Sequence, residues 1–162
     1  PGGAWANITS PVSTPAVARI TVGNHAVAGY DFIKVYNNLA PDVYDAITNE
    51  AAATGLLVSG HVPRLVGIDH SRNAGQRTSE HLIGIKYRAS SPFTGGVLDL
   101  AEVRALAQAS AVAGMWHTPT ITVDALSTSE VSAIRAGDEI KHVSAGMRES
   151  FERGFHQGHF QY

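Results

Sequence analysis

No cysteine occurs in the 162 residues, which excludes disulfides, thiolate metal sites and cysteine nucleophiles and says little about compartment. No apolar run approaches the ~20 residues that a membrane-spanning helix requires. Charge of either sign is scarce. The formal net charge is −2 and the pI about 6.5, so nothing in the balance points to nucleic acid or to a membrane surface. Aromatics make up only 7% of the chain, and no low-complexity tract, charge run or interdomain linker breaks it. The chain opens "PGGAWANITS", without Met and without a basic segment, so no signal peptide is visible and the opening reads as the interior of something longer. What is present is apolar content: 44% of the residues, enough for one globular domain with a real core.

That content is distributed in alternation. Residues 14–28 read as a helix, with Thr14 at the N-cap, Pro15 at the first helical position and Gly29 as the stop. Val17, Ile20 and Val27 lie near one face of it. "DFIKVY" (31–36) follows as a strand of the buried type, and "APDVYDAITNEAAATG" (40–55) as a helix closed by Gly55. "LLVSGH" (56–61) is a strand, "RLVGIDHSRNAG" (64–75) a helix and "RTSEH" (77–81) a strand. A Gly/Ser/Pro loop at 85–97 is the best candidate for a mobile segment. "DLAEVRALAQASAVAG" (99–114) is a helix capped by Asp99 and stopped by Gly114, and "MWHTPTITV" (115–123) a strand. "STSE" (127–130) has capping-box spacing, and the rest reads as helix to about Gly158. Such alternation implies an α/β fold with parallel strands joined by right-handed crossovers. The strand runs do not alternate polar with apolar, the pattern of strands covered on both faces.

In parallel α/β folds functional side chains gather at the carboxyl ends of the strands. Lys34, His61 and His81 all stand at such ends, each about one βα unit from the next, and would converge on one sheet edge. Two imidazoles at one rim suggest a metal site, zinc being the natural ion. An ammonium has no lone pair to offer. A lysine deprotonated by burial near cations could instead take up carbon dioxide as a carbamate and bridge two ions. The bland alternatives stand beside this: a His after a strand also serves as a polar rim residue, and a strand-end Lys as a solvated one.

"YDFIKVYNNL", "GLLVSGHVP" and "AGQRTSEHL" resemble corresponding segments of metal-dependent amidohydrolases, in the imidazolonepropionase-like and Xaa-Pro dipeptidase-like branch. "GMWHTPTITV" resembles that family's seventh strand, where a Pro-Thr pair is usual. The resemblance runs from about residue 14 to about 158. It implies a (β/α)8 TIM-type barrel with one or two divalent metals at the carboxyl rim. Lys34 matches the carbamylated bridging lysine of strand four, His61 the strand-five ligand and His81 the strand-six ligand. The activity implied is metal-dependent hydrolysis of an amide, dipeptide or cyclic amide, with water activated by the metal. A strand-eight aspartate moves the proton in that family.

The chain departs from the pattern at both ends. No His-x-His pair, the first-strand signature, occurs anywhere, and "SFERGFHQGHFQY" stops before any Gly-Thr-Asp segment of strand eight. The expectation is therefore a single partial catalytic domain covering 1–162, corresponding to strands four to seven and lacking one to three and eight. It carries no general base of its own. Open sheet edges then make self-association, or completion by missing segments, an expectation. The alternative class is a non-catalytic half-barrel module for assembly or ligand binding.

Among the remaining residues, Tyr36, Asn37 and His117 are weak candidates for substrate contact. His156 and His159 are one turn apart, but their Gly-flanked tail reads as frayed. His70 reads as a surface helix residue. Glu80, adjacent to His81, is expected to point the other way on its strand and to be structural. Asp31, Asp42 and Asp69 read as cap or loop residues. "GNHAVAG" lies inside a helix pattern and is not a phosphate loop.

Overall fold

The computed structural model describes residues 9–85, 99–120, 145, 146 and 149. Contacts divide the chain into one unit over Pro1–Pro119 and a second over Thr120–Tyr162. All eight elements below belong to the first unit. In the second, residues 145, 146 and 149 are helical. The expected features at 86–97, 127–130 and 156–159 lie outside the described residues.

Along the first unit the order is α1 (Pro15–Val27), β1 (Phe32–Val35), α2 (Pro41–Thr54), β2 (Leu57–Gly60), α3 (Gly67–Asn73), β3 (Thr78–Glu80), α4 (Leu100–Ala113) and β4 (Trp116–Thr118). The architecture is α/β with short parallel strands. Local chemistry sets the boundaries. The Thr14 side chain accepts from Val17 N at 3.3 Å, and Pro15 opens α1 with a fixed φ and no N–H to waste. Asp99 accepts from the amides of Ala101 and Glu102 at the start of α4. Gly55 and Gly114 end α2 and α4 in the left-handed conformation, at φ +76° and +68°.

β1 pairs in parallel with β2, Phe32 opposite Leu57 and Lys34 opposite Ser59. β3 pairs in parallel with β4, Thr78 opposite Trp116 and Glu80 opposite Thr118. The two pairs are stitched by Arg77 N donating to Val58 O at 2.6 Å and Gly60 N donating to Thr78 Oγ1 at 3.2 Å. The strand ends therefore stand side by side in chain order.

One face of the first pair is packed. Ile33, Val35 and Val58 join Ala18, Val22, Val43, Tyr44, Ala46, Ile47 and Ala51 in a single cluster under α1 and α2. A second cluster holds Val62, Ile68, Ile85, Leu106 and Met115.

Two expectations need correction. The strands are not covered on both faces among the described residues: burial alternates along β1, and Phe32 and Leu57, register partners, are 51% and 55% exposed. A four-residue strand with the helices on one side shows alternation in its burial even where its composition does not. Nor does α1 bury the stripe of Val17, Ile20 and Val27, of which Ile20 and Val27 are 65% and 92% exposed. It buries Ala18 and Val22 instead. α1 is apolar on several sides, and the side that meets α2 is the one carrying Ala18 and Val22.

Candidate active site

The site grows from the end of β2. Gly60 sits at φ +120°, and a Cβ there would fall 2.4 Å from Val35 O and 3.2 Å from Lys34 Cγ. Only glycine lets β2 approach the end of β1 so closely. The next residue, His61, donates its amide to Val35 O at 3.1 Å, which ties its backbone to β1. Its side chain is 2% exposed. Tyr36 stacks on the imidazole, ring centroids 4.1 Å apart at 29°, and His61 Nδ1 lies 2.6 Å from Asn37 Oδ1. An amide oxygen only accepts, so Nδ1 carries the proton and Nε2 keeps the lone pair. Burial, reinforced by the neighbouring His81 and Lys34 and opposed by Glu80, lowers the His61 pKa to about 4. The ring is neutral near pH 7, the form a metal ion requires.

β3 brings the other groups. His81 and Leu82 leave the strand with φ of +59° and +53°, a left-handed pair rare for residues with side chains. This turn sets the His81 ring edge-on to His61, centroids 4.8 Å apart at 80°. Gly84 lets the turn close: a Cβ there would meet Ile68 Cβ and Val62 Cγ2 at 2.9 Å. Glu80 does not point away as strand alternation predicts. Its Oε2 lies 2.8 Å from Lys34 Nζ, and one donor atom each from His61, Glu80 and His81 lie within 4.8 Å of one another. Alternation fails because the strand ends at Glu80, and the left-handed turn frees His81 from the period of two.

Lys34, His61 and His81 are thus brought to one place, with Glu80 among them. Lys34 Nζ pairs with Glu80, and the lysine side chain is half-exposed. Tyr36 and Asn37, the weak candidates for substrate contact, both touch the His61 ring. His117 is opposite Ser79 in the register and by alternation shares the face of Ser79, away from Glu80. Burial lowers its pKa, and both its ring nitrogens and Ser79 Oγ are buried without a hydrogen-bond partner among the described residues. His70 is a surface residue, bonded to Asp45 Oδ1 at 2.6 Å.

Sequence reasoning missed the support beneath the site. Gln76, 2% exposed, directs Nε2 to Gly60 O and His61 O at 3.2 Å and to Thr78 O at 2.7 Å, while its Oε1 accepts from Tyr44 OH at 2.7 Å. This one side chain locks the end of β2 to the start of β3, and no local pattern marks a glutamine for that role. Glu80 had a signal, its adjacency to His81, but strand periodicity argued against it.

The residues present fit a divalent ion. Two imidazoles and a carboxylate are a usual donor set for zinc, and one imidazole has its tautomer fixed from behind, as ligating histidines do. No protein-family profile and no curated protein matches the chain. Among solved structures it is similar to bottromycin amidohydrolase, with a TM-score of 0.68 and 25% identity over 100% of this chain and 36% of that one. A Xaa-Pro dipeptidase with bound methionine in its active site aligns at a TM-score of 0.47 and 20% identity, over 72% of this chain and 28% of that one. The chain spans about a third of the length of these structures.

Proposed function

We propose that this chain is part of the catalytic barrel of a metal-dependent hydrolase that cleaves amide C–N bonds in small amides, dipeptides or cyclic amides. The observation that carries the reading is the meeting of His61, His81, Glu80 and Lys34 at the carboxyl ends of neighbouring parallel strands. The fold likeness to an amidohydrolase over the whole chain supports it. In this reading the four strands are strands four to seven of a (β/α)8 barrel.

A divalent ion, zinc by preference, would supply a Lewis acid for the carbonyl oxygen and acidify water towards neutral pH. The chain's own residues prepare for it. Asn37 holds the His61 tautomer that offers Nε2. Tyr36 stacks on one face of the ring. Gly60 and Gln76 fix the backbone from which His61 projects. The familiar site chemistry would place a carbamate on Lys34.

The test is amide hydrolysis by the zinc-loaded complete barrel that contains this chain, against acylated amino acids, Xaa-Pro dipeptides and cyclic amides, followed by mass spectrometry. Turnover lost on chelation, restored by zinc and reduced ~100-fold or more in His61→Ala supports the reading. Equal turnover after chelation, or none on any amide, overturns it. A second reading, a non-catalytic module for binding or assembly, is favoured by the exposed apolar side chains Phe32, Leu57 and Trp116, and it predicts no effect of chelation on function.

A further inference from the structure

We propose that Thr118, and not its neighbour His117, is the residue through which β4 touches the substrate, its hydroxyl hydrogen-bonding a polar group one residue away from the scissile amide. The inference rests on the hydrolase reading above and deepens it, because it requires a substrate with a second polar backbone group: an acylated amino acid or a dipeptide.

Register decides between the two residues. Side chains alternate between the faces of a strand, so neighbours in sequence do not share one. Glu80 and Thr118 are partners in the parallel pair of β3 and β4, and Ser79 and His117 are partners one step earlier. Ser79 is wholly buried, and both ring nitrogens of His117 are buried too. Glu80 turns the other way, to Lys34 Nζ at 2.8 Å. Lys34 projects from the exposed side of β1, opposite Ile33 and Val35, which pack under α1 and α2. Thr118 therefore lies on the face of the donor cluster, and it is exposed there. A hydroxyl both donates and accepts, so it can meet an amide N–H or a carbonyl oxygen.

The Thr118 backbone is held in place. Its carbonyl accepts the His81 amide at 2.8 Å, which ties it to a residue of the cluster. Pro119 follows, and the residue before a proline is pushed to extended backbone, which keeps Thr118 on the alternation of its strand. A β-branched side chain also has few rotamers to lose on binding. The distances agree. Neighbouring strands lie about 4.8 Å apart, and one residue of an extended substrate spans about 3.3–3.6 Å. An amide seated on His61, Glu80 and His81, at the ends of β2 and β3, thus carries its next polar group to the end of β4.

The experiment measures steady-state kinetics of the zinc-loaded complete barrel that contains this chain, on whichever acylated amino acid or Xaa-Pro dipeptide it hydrolyses fastest. Wild type, Thr118→Val and Thr118→Ser are compared, with zinc content read by elemental analysis. Valine keeps the shape and the strand preference of threonine and removes only the hydroxyl. The expected result in Thr118→Val is a KM raised about three- to tenfold with kcat within about twofold of wild type, the loss of one hydrogen bond made alike in the ground and transition states. Thr118→Ser restores the KM, and zinc content stays at the wild-type level in both variants. A KM in Thr118→Val within about twofold of wild type overturns the inference, as does a loss confined to kcat or a raised KM that serine does not restore. A fall in zinc content overturns it too, because Thr118 then acts through His81. Cleavage of cyclic amides alone overturns the inference and leaves the hydrolase reading standing, whereas no amide cleaved by wild type overturns both. Thr118→Ala, which also lacks the hydroxyl, is read in the same way should circular dichroism show that Thr118→Val does not fold.

Discussion

Replacing Gln76 by leucine tests the support beneath the site. Its amide carries two hydrogens and faces three backbone carbonyls, those of Gly60, His61 and Thr78, so the hydrogens are shared. Its oxygen accepts the Tyr44 hydroxyl. Both side chains are buried. Leucine matches the volume roughly but leaves the Tyr44 hydroxyl without its acceptor and withdraws a donor from the carbonyls. A buried polar group stripped of its partner costs about 1–3 kcal/mol. The hydroxyl and at least one carbonyl lose theirs, so Gln76→Leu is expected to destabilise the chain by roughly 3–5 kcal/mol. For a chain of this size that lowers the melting temperature by about 6–20 °C. The assay is urea unfolding followed by circular dichroism, run as a double-mutant cycle with Tyr44→Phe. Removing the hydroxyl as well removes the orphan, so the double variant recovers about 1 kcal/mol or more relative to additivity. A Gln76→Leu cost under about 1 kcal/mol, or strict additivity with Tyr44→Phe, would refute the account of Gln76 as a buried latch.

Further outcomes follow from the same geometry. Gly60→Ala places a Cβ 2.4 Å from Val35 O at a φ of +120°, and is expected to cost about 3 kcal/mol or more by thermal unfolding; a neutral result would mean that the β1 and β2 ends part freely. Burial raises the Tyr44 pKa to about 12 from its ordinary 10. The neutral phenol is thus favoured by the fold, and this contribution is complete below pH 10 and lost as pH rises towards 12. Stability between pH 9 and pH 11.5 should therefore fall more steeply in wild type than in Tyr44→Phe, by up to about 2 kcal/mol, and parallel profiles would contradict the burial argument. Asn37→Ala should weaken zinc binding about 10–100-fold, read by calorimetric titration, and cost about 1–3 kcal/mol of stability by leaving the buried His61 Nδ1–H without its acceptor; unchanged affinity would deny Asn37 its role in fixing the His61 ring.

Much of the first unit was legible in the residues because its signals are local. Thr14 with Pro15, Asp99, and glycines 29, 55, 75 and 114 mark helix ends through φ preferences and short-range hydrogen bonds: α1 and α4 begin one residue after Thr14 and Asp99, and the helices end one or two residues before the glycines. The order of strands and helices, and the strand-end positions of Lys34, His61 and His81, follow from the same punctuation. The resemblance to amidohydrolases rests on those positions, and the chain has an amidohydrolase among its fold neighbours.

Other features depend on contacts that no local window contains. Which stripe of α1 is buried was decided by α2, which takes Ala18 and Val22 and leaves Ile20 in solvent. Periodicity identifies apolar faces but cannot choose between two of them when a helix is apolar on several sides. Glu80 turned towards Lys34 because His81 and Leu82 adopt a left-handed turn, and a strand's period of two holds only while the strand lasts. Gln76 meets Tyr44 across 32 positions of sequence, a pairing written in no spacing. Caps, stops and strand-end chemistry were thus set by the order of the residues, since neighbours along the chain suffice to make them. The donor cluster and its buried latch were set by the tertiary fold, since only packing brings the ends of β1, β2 and β3 within reach of one another.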